Sequence, residues 1–216
     1  MARLSTPDSR TRKALHLLAL FAAGAALGAA GYFVGRQLGV TGVLDDAPLP
    51  RWADLLAGVL GLLMIATAGA MAVMSLSPAV VGRLLKLEGP AGPDELRDAR
   101  LQALVLGLSG GIVMLPPLLA VAGIAPPWAL ALLALLLAVH TALNLILYRR
   151  VDELFRRAVV EAGALTFWLG QGVLFLWAVA ERLGAAPALT GWDIYVVLLA
   201  AYLVASAGVA ARRGLA

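Results

Sequence analysis

Residues 127–148, PWALALLALLLAVHTALNLILY, decide the fold, because the stretch contains no Asp, Glu, Lys, Arg or Gly. Wound as an α-helix it reaches about 33 Å, enough to cross a hydrocarbon core of roughly 30 Å. It is not alone. Comparable apolar runs lie at about residues 14–35, 53–77, 101–123, 159–181 and 193–211, separated by short charged or Pro/Gly-rich connections. The six runs and their short connections use up nearly all of the 216 residues, 62% of which are apolar and 14% charged, where soluble domains carry about 25% charged residues. A water-soluble core cannot absorb that much apolar surface, and mean hydropathy is +0.90. The expected fold is all-α, a polytopic membrane protein with six transmembrane helices in one membrane domain, 1–216, whose first partner is the lipid bilayer.

The first run invites comparison with a signal peptide, since Arg3, Arg10, Arg12 and Lys13 precede it and the small residues Ala29 and Ala30 resemble a cleavage site. Its length exceeds the usual signal core of about 7–15 residues. Gly24, Gly28, Gly31 and Gly35 recur at a spacing suited to close helix packing, so an uncleaved span is expected.

Basic residues are distributed unevenly among the connections. Arg3, Arg10, Arg12 and Lys13, then Arg83, Lys86, Arg97 and Arg100, then Arg149, Arg150, Arg156 and Arg157, and finally Arg212 and Arg213 fall on one side of a six-span topology. Arg36, Arg51 and Arg182 remain on the other. The positive-inside rule then places both termini in the cytoplasm and groups the spans as three hairpins. Trp52, Trp128 and Trp192 fall at expected interfaces. The pI near 10.0 reflects these topology charges, not a continuous basic face, so no nucleic acid partner is expected. Heavy use of Arg, Ala, Gly, Leu and Pro matches GC-rich bacterial coding and points to a bacterial cytoplasmic (inner) membrane.

Pro93-Asp94-Glu95-Leu96 before the third run and Val151-Asp152-Glu153-Leu154 before the fifth look like related helix starts, with Asp94 and Asp152 as caps. Residues 78–100 read as a cytoplasmic interfacial linker in which Val80, Val81, Leu84, Leu85 and Leu87 oppose Arg83 and Lys86, as in a short helix lying on the membrane surface. Asp152-Glu153-Leu154-Phe155-Arg156-Arg157, followed by Glu161-Ala162 and an apolar hairpin ending at Arg212-Arg213, resembles small bacterial multi-pass membrane proteins built from one such hairpin. The resemblance covers residues 152–213 and implies a bacterial membrane location, with no activity attached.

Polar residues at bilayer depth are costly unless paired, which makes them the candidate site. Ser109, His140, Asn144 and Gln171 lie at comparable depths and are read either as hydrogen-bonding glue between packed helices or as a polar pocket for a small ligand. Gly107 and Gly111 have the GxxxG packing spacing, and Pro116 and Pro117 are expected to kink the third span. Gly107-Leu108-Ser109-Gly110 resembles the GxSG tetrapeptide that rhomboid proteases place around their nucleophilic serine, with His140 in the position of a base. In rhomboid-like proteins that histidine lies two helices later and is followed by glycines. Here it is on the next helix and is followed by Thr141-Ala142-Leu143-Asn144.

No cofactor and no metal are expected. Cysteine is absent, His16 is too far from His140 to share a haem, and no acidic cluster lies at membrane depth. Three functions are compatible with the sequence. The first is a non-enzymatic subunit or scaffold that pairs with another membrane protein or with itself. The second is a small-molecule transporter or ligand carrier using the polar pocket, and the third an intramembrane serine hydrolase.

Overall fold

A computed structural model describes residues 51–214. Six helices follow one another: α1 Trp52–Met74, α2 Pro78–Leu84, α3 Pro93–Val121, α4 Pro126–Arg150, α5 Glu153–Arg182 and α6 Gly191–Arg212. All but α2 are long and apolar enough to cross a membrane. The expected run at 14–35, with Gly24, Gly28, Gly31 and Gly35, lies outside the described residues, as does the connection that follows it up to residue 50.

Local chemistry sets the helix ends. Proline, whose missing N–H costs nothing in a first turn, opens α2, α3 and α4 at Pro78, Pro93 and Pro126. Asp152 caps α5 by accepting the Phe155 N–H at 2.8 Å. Thr190 and Asp193 form a reciprocal capping box at α6. Gly123 and Gly184 take positive φ, +66° and +71°, just past α3 and α5, where a side chain would be strained. Asp94 does not repeat the role of Asp152. Gly92 is the N-cap of α3 and Asp94 sits within its first turn, so the two similar helix starts are built differently.

The linker is shorter than expected. It runs from Ser75 to Gly92, and Pro93–Arg100 already belongs to α3. Its short helix α2 packs against α3 and buries Val81, while Leu84, Leu85 and Leu87 stay exposed.

Exposure is the reverse of a soluble protein's. Between 6% and 22% of the most apolar window of each long helix is buried in the bundle. Trp128, Leu169 and Phe175 are 75%, 61% and 66% exposed. Water does not tolerate contiguous apolar surface of this extent, whereas hydrocarbon does.

The core is α1 against α3, the most extensive contact, and it joins helices on either side of the linker. α6 packs on α1, α5 on α6 and α4 on α3, giving the spatial order α4, α3, α1, α6, α5. Small residues permit the central approach. A Cβ on Gly110 would lie 2.6 Å from the Gly61 carbonyl oxygen, and one on Gly107 would lie 3.3 Å from the Ala68 Cβ. Gly111, expected to share this contact with Gly107, has no neighbour within 4 Å among the described residues. The register is therefore Gly107 and Gly110 against Ala68 and Gly61. Nearby, Ala57, Val113 and Val196 knit α1, α3 and α6 together.

Polar ties concentrate at the two ends. At the arginine-rich end Arg150 pairs with Asp98 at 2.8 Å, Lys86 donates to the Gly214 carbonyl at 2.8 Å, and Arg212 and Arg213 both hold Glu161. At the opposite end Arg51 pairs with Asp193 at 2.8 Å, and the Trp192 indole N–H donates to Asp54 at 2.8 Å. Trp192 is thus a strut between α1 and α6. Trp52 and Trp128 are exposed at helix starts.

Candidate functional site

Three of the expected polar residues meet between α3 and α4. The Ser109 Oγ lies 2.6 Å from His140 Nε2 and 2.9 Å from the Val105 carbonyl oxygen one turn earlier. Asn144, one turn after His140, places its amide nitrogen 3.1 Å from the His140 carbonyl oxygen, 3.3 Å from Nδ1 and 2.9 Å from Nε2. Two proton arrangements match these distances. In one, Ser109 donates to Val105, Nε2–H donates to Ser109, and Asn144 donates to Nδ1 and to the His140 carbonyl; in the other, Nε2 accepts from the Ser109 hydroxyl at 2.6 Å and from the Asn144 amide at 2.9 Å. The Asn144 amide oxygen is left outside the network.

Gln171 does not join them. It lies on α5, is exposed, and is absent from the walls around His140. Depth along a helix was readable from its position, but the face it turns was not. Pro116 and Pro117 lie within α3, which continues to Val121. Their missing N–H groups deprive the carbonyls of Ile112 and Val113 of the usual i+4 donors.

The network borders a cavity of about 580 Å³ walled by all five long helices. Ser109, Gln102 and Val113 come from α3, His140 and Asn144 from α4, Phe155 from α5, Tyr195 and Tyr202 from α6, and Met64 and Met71 from α1. Sequence reading missed the tyrosines, the methionines and Gln102. Gln102 had a signal, being a polar residue within a span; the others look like ordinary span residues. Helices α4 and α5 are joined through Val151 and Asp152 alone and do not pack along one another, so among the described residues the ring around the cavity is incomplete on that side.

Chemically, the Ser109–His140 contact is half of a nucleophile relay. His140 can serve as its base only in the second of these arrangements. Ser109 and its neighbours lie inside α3, where their N–H groups serve the helix, so no pair of backbone donors is poised for an oxyanion. A hydrogen-bonded bridge between two helices is worth about 0.6 kcal/mol in a membrane. The arrangement fits helix joining and polar recognition of an occupant better than bond cleavage.

Fold and site together define a helical bundle of the membrane-embedded kind, with a polar-edged, half-open cavity. Neither a protein-family model, a curated protein nor a solved structure matches the chain.

Proposed function

We propose that the chain is a bacterial inner-membrane protein, with both termini in the cytoplasm, that holds a small amphipathic molecule within the bilayer as a carrier or transporter. The observation that carries this reading is the cavity of about 580 Å³, a size within the roughly 300–1,000 Å³ of small-molecule sites. Its apolar and aromatic walls suit a hydrophobic body. Ser109, His140, Asn144 and Gln102 supply a few polar groups on one side, the usual composition of such a pocket. Arginine-rich connections at one end of the bundle support the orientation.

Solvent extraction of the purified protein, followed by mass spectrometry, is expected to release one small molecule in near-stoichiometric amount. His140→Ala is expected to lower its retention by about tenfold, the value of one hydrogen bond of about 1.4 kcal/mol. Folded wild-type protein that yields nothing beyond bulk lipid would remove this reading.

A second reading, a subunit or scaffold, is favoured by α4. Leu147 is its one buried residue, and α3 is the helix it packs along. Cross-linking through a cysteine introduced at Leu135, in a chain with no native cysteine, is expected to trap a membrane partner or a second copy. A strictly monomeric product in native membranes would count against it.

A further inference from the structure

The arginine-rich end carries a second concavity, of about 570 Å³, lined by Tyr148, Glu153, Arg156, Arg157, Glu161 and Arg213. Its charges do not balance. Glu153 is taken by Arg157 at 3.0 Å, and the single carboxylate of Glu161 serves both Arg212 and Arg213. Arg150, close by, is neutralised by Asp98. Among the described residues Arg156 meets no carboxylate. Its Nε and one terminal nitrogen donate to the carbonyls of Tyr148 and Arg149 at 3.1 and 3.3 Å, and its guanidinium carbon stands 5.8 Å from the centre of the Tyr148 ring. A guanidinium has five N–H donors, so this one is held in place with donors to spare. The pocket is therefore pre-ordered and carries an excess of positive charge.

What lies beyond it selects the kind of anion. Val160 and Ala164 complete the lining and continue as an exposed apolar stripe on α5 to Phe167, one further turn into the membrane-spanning length. A soluble phosphate would use the arginines and leave that stripe unmatched. We propose that this concavity binds the phosphodiester headgroup of an anionic membrane phospholipid, whose acyl chains lie along Val160, Ala164 and Phe167. Basic pockets between spans are the usual seats of anionic headgroups. The site is separate from the central cavity, and the proposal does not depend on what occupies that cavity.

The test uses the full-length protein purified in mild detergent, supplied with an equimolar mixture of phosphatidylglycerol and phosphatidylcholine, and native mass spectrometry of retained lipid. Phosphatidylglycerol is expected to be retained preferentially, with retention falling about fivefold in each of Arg156→Gln and Arg157→Gln. Glu153→Gln, which frees Arg157, is expected to raise retention, a gain that misfolding cannot imitate. Equal retention of the two lipids, arginine variants that hold phosphatidylglycerol as well as wild type, or no gain in Glu153→Gln would overturn the proposal. So would displacement of the lipid by an equal concentration of glycerol phosphate, which would mark a site for soluble anions.

Discussion

Gly110→Ala is expected to destabilise the bundle by about 1–3 kcal/mol, the range of overpacking in a close-packed core, while Gly111→Ala, one residue away, leaves it unchanged or firmer. At Gly110 a methyl group would sit 2.6 Å from the Gly61 carbonyl oxygen, 2.9 Å from Ile65 Cγ1 and 3.1 Å from Met64 Cβ. The first of these is backbone of the facing helix and has no rotamer to retreat into. α1 and α3 must separate, and the contact they lose is the most extensive in the bundle. Alanine's better helix propensity returns up to about 1 kcal/mol at either position. At Gly111 that gain is unopposed, because none of the described residues lies within 4 Å of the new methyl. Unfolding in mixed micelles, followed by circular dichroism, measures both. A Gly110→Ala protein as stable as Gly111→Ala would refute the α1–α3 register.

The second large effect is expected at the opposite end of the bundle. Asp193 is 1% exposed and is the acceptor for a whole group of donors. The Thr190 backbone N–H and hydroxyl donate at 2.7 and 2.8 Å, and the Arg51 guanidinium at 2.8 and 3.1 Å. Asp193→Ala strands these donors and removes its half of the α6 capping box along with the tie to α1. Hydrogen bonds to a charged group are worth about 1.5–3 kcal/mol each and caps about 1 kcal/mol, and the contributions overlap, so a loss of about 3 kcal/mol is expected. Most of it belongs to the Thr190 donors left without their carboxylate. Arg51 has a half-exposed side chain, and water screens its share of the pair. Arg51→Gln is accordingly expected to cost about 1 kcal/mol or less. The same unfolding measurement decides it, and a larger effect at Arg51 than at Asp193 would invert the account.

Much of the helical layout was legible from composition. The stretch at 127–148 became α4, Pro126–Arg150, and the other four described spans lie within a few residues of their expected positions except at two starts. α3 and α5 begin earlier, at Pro93 and Glu153, because charged first turns extend them beyond the apolar run. Hydropathy marks where lipid begins. It does not mark where a helix begins.

The site was legible only in part, for a reason peculiar to lipid. In water an apolar stripe tells which face of a helix is buried. In a bilayer the outward face is apolar too, so sequence gives depth without direction. Hence Ser109, His140 and Asn144 meet while Gln171, at a similar depth, is exposed. Their meeting needed α3 and α4 to be neighbours, which a short turn at Gly123 made readable. The tyrosines from α6 reach the same cavity only because α6 packs on α1, a partnership between distant segments.

By itself the sequence determined that the chain is helical and rich in segments able to cross a membrane, and which connections carry the arginines. Those properties are sums over neighbouring residues, and transfer from water to hydrocarbon depends on little else. Tertiary structure alone decided that Gly110 and not Gly111 touches α1, that Arg51 finds Asp193, and that five helices leave a polar-edged cavity between them. Each of these depends on the rotation of one helix against another, and small differences in packing between equally apolar faces set that rotation.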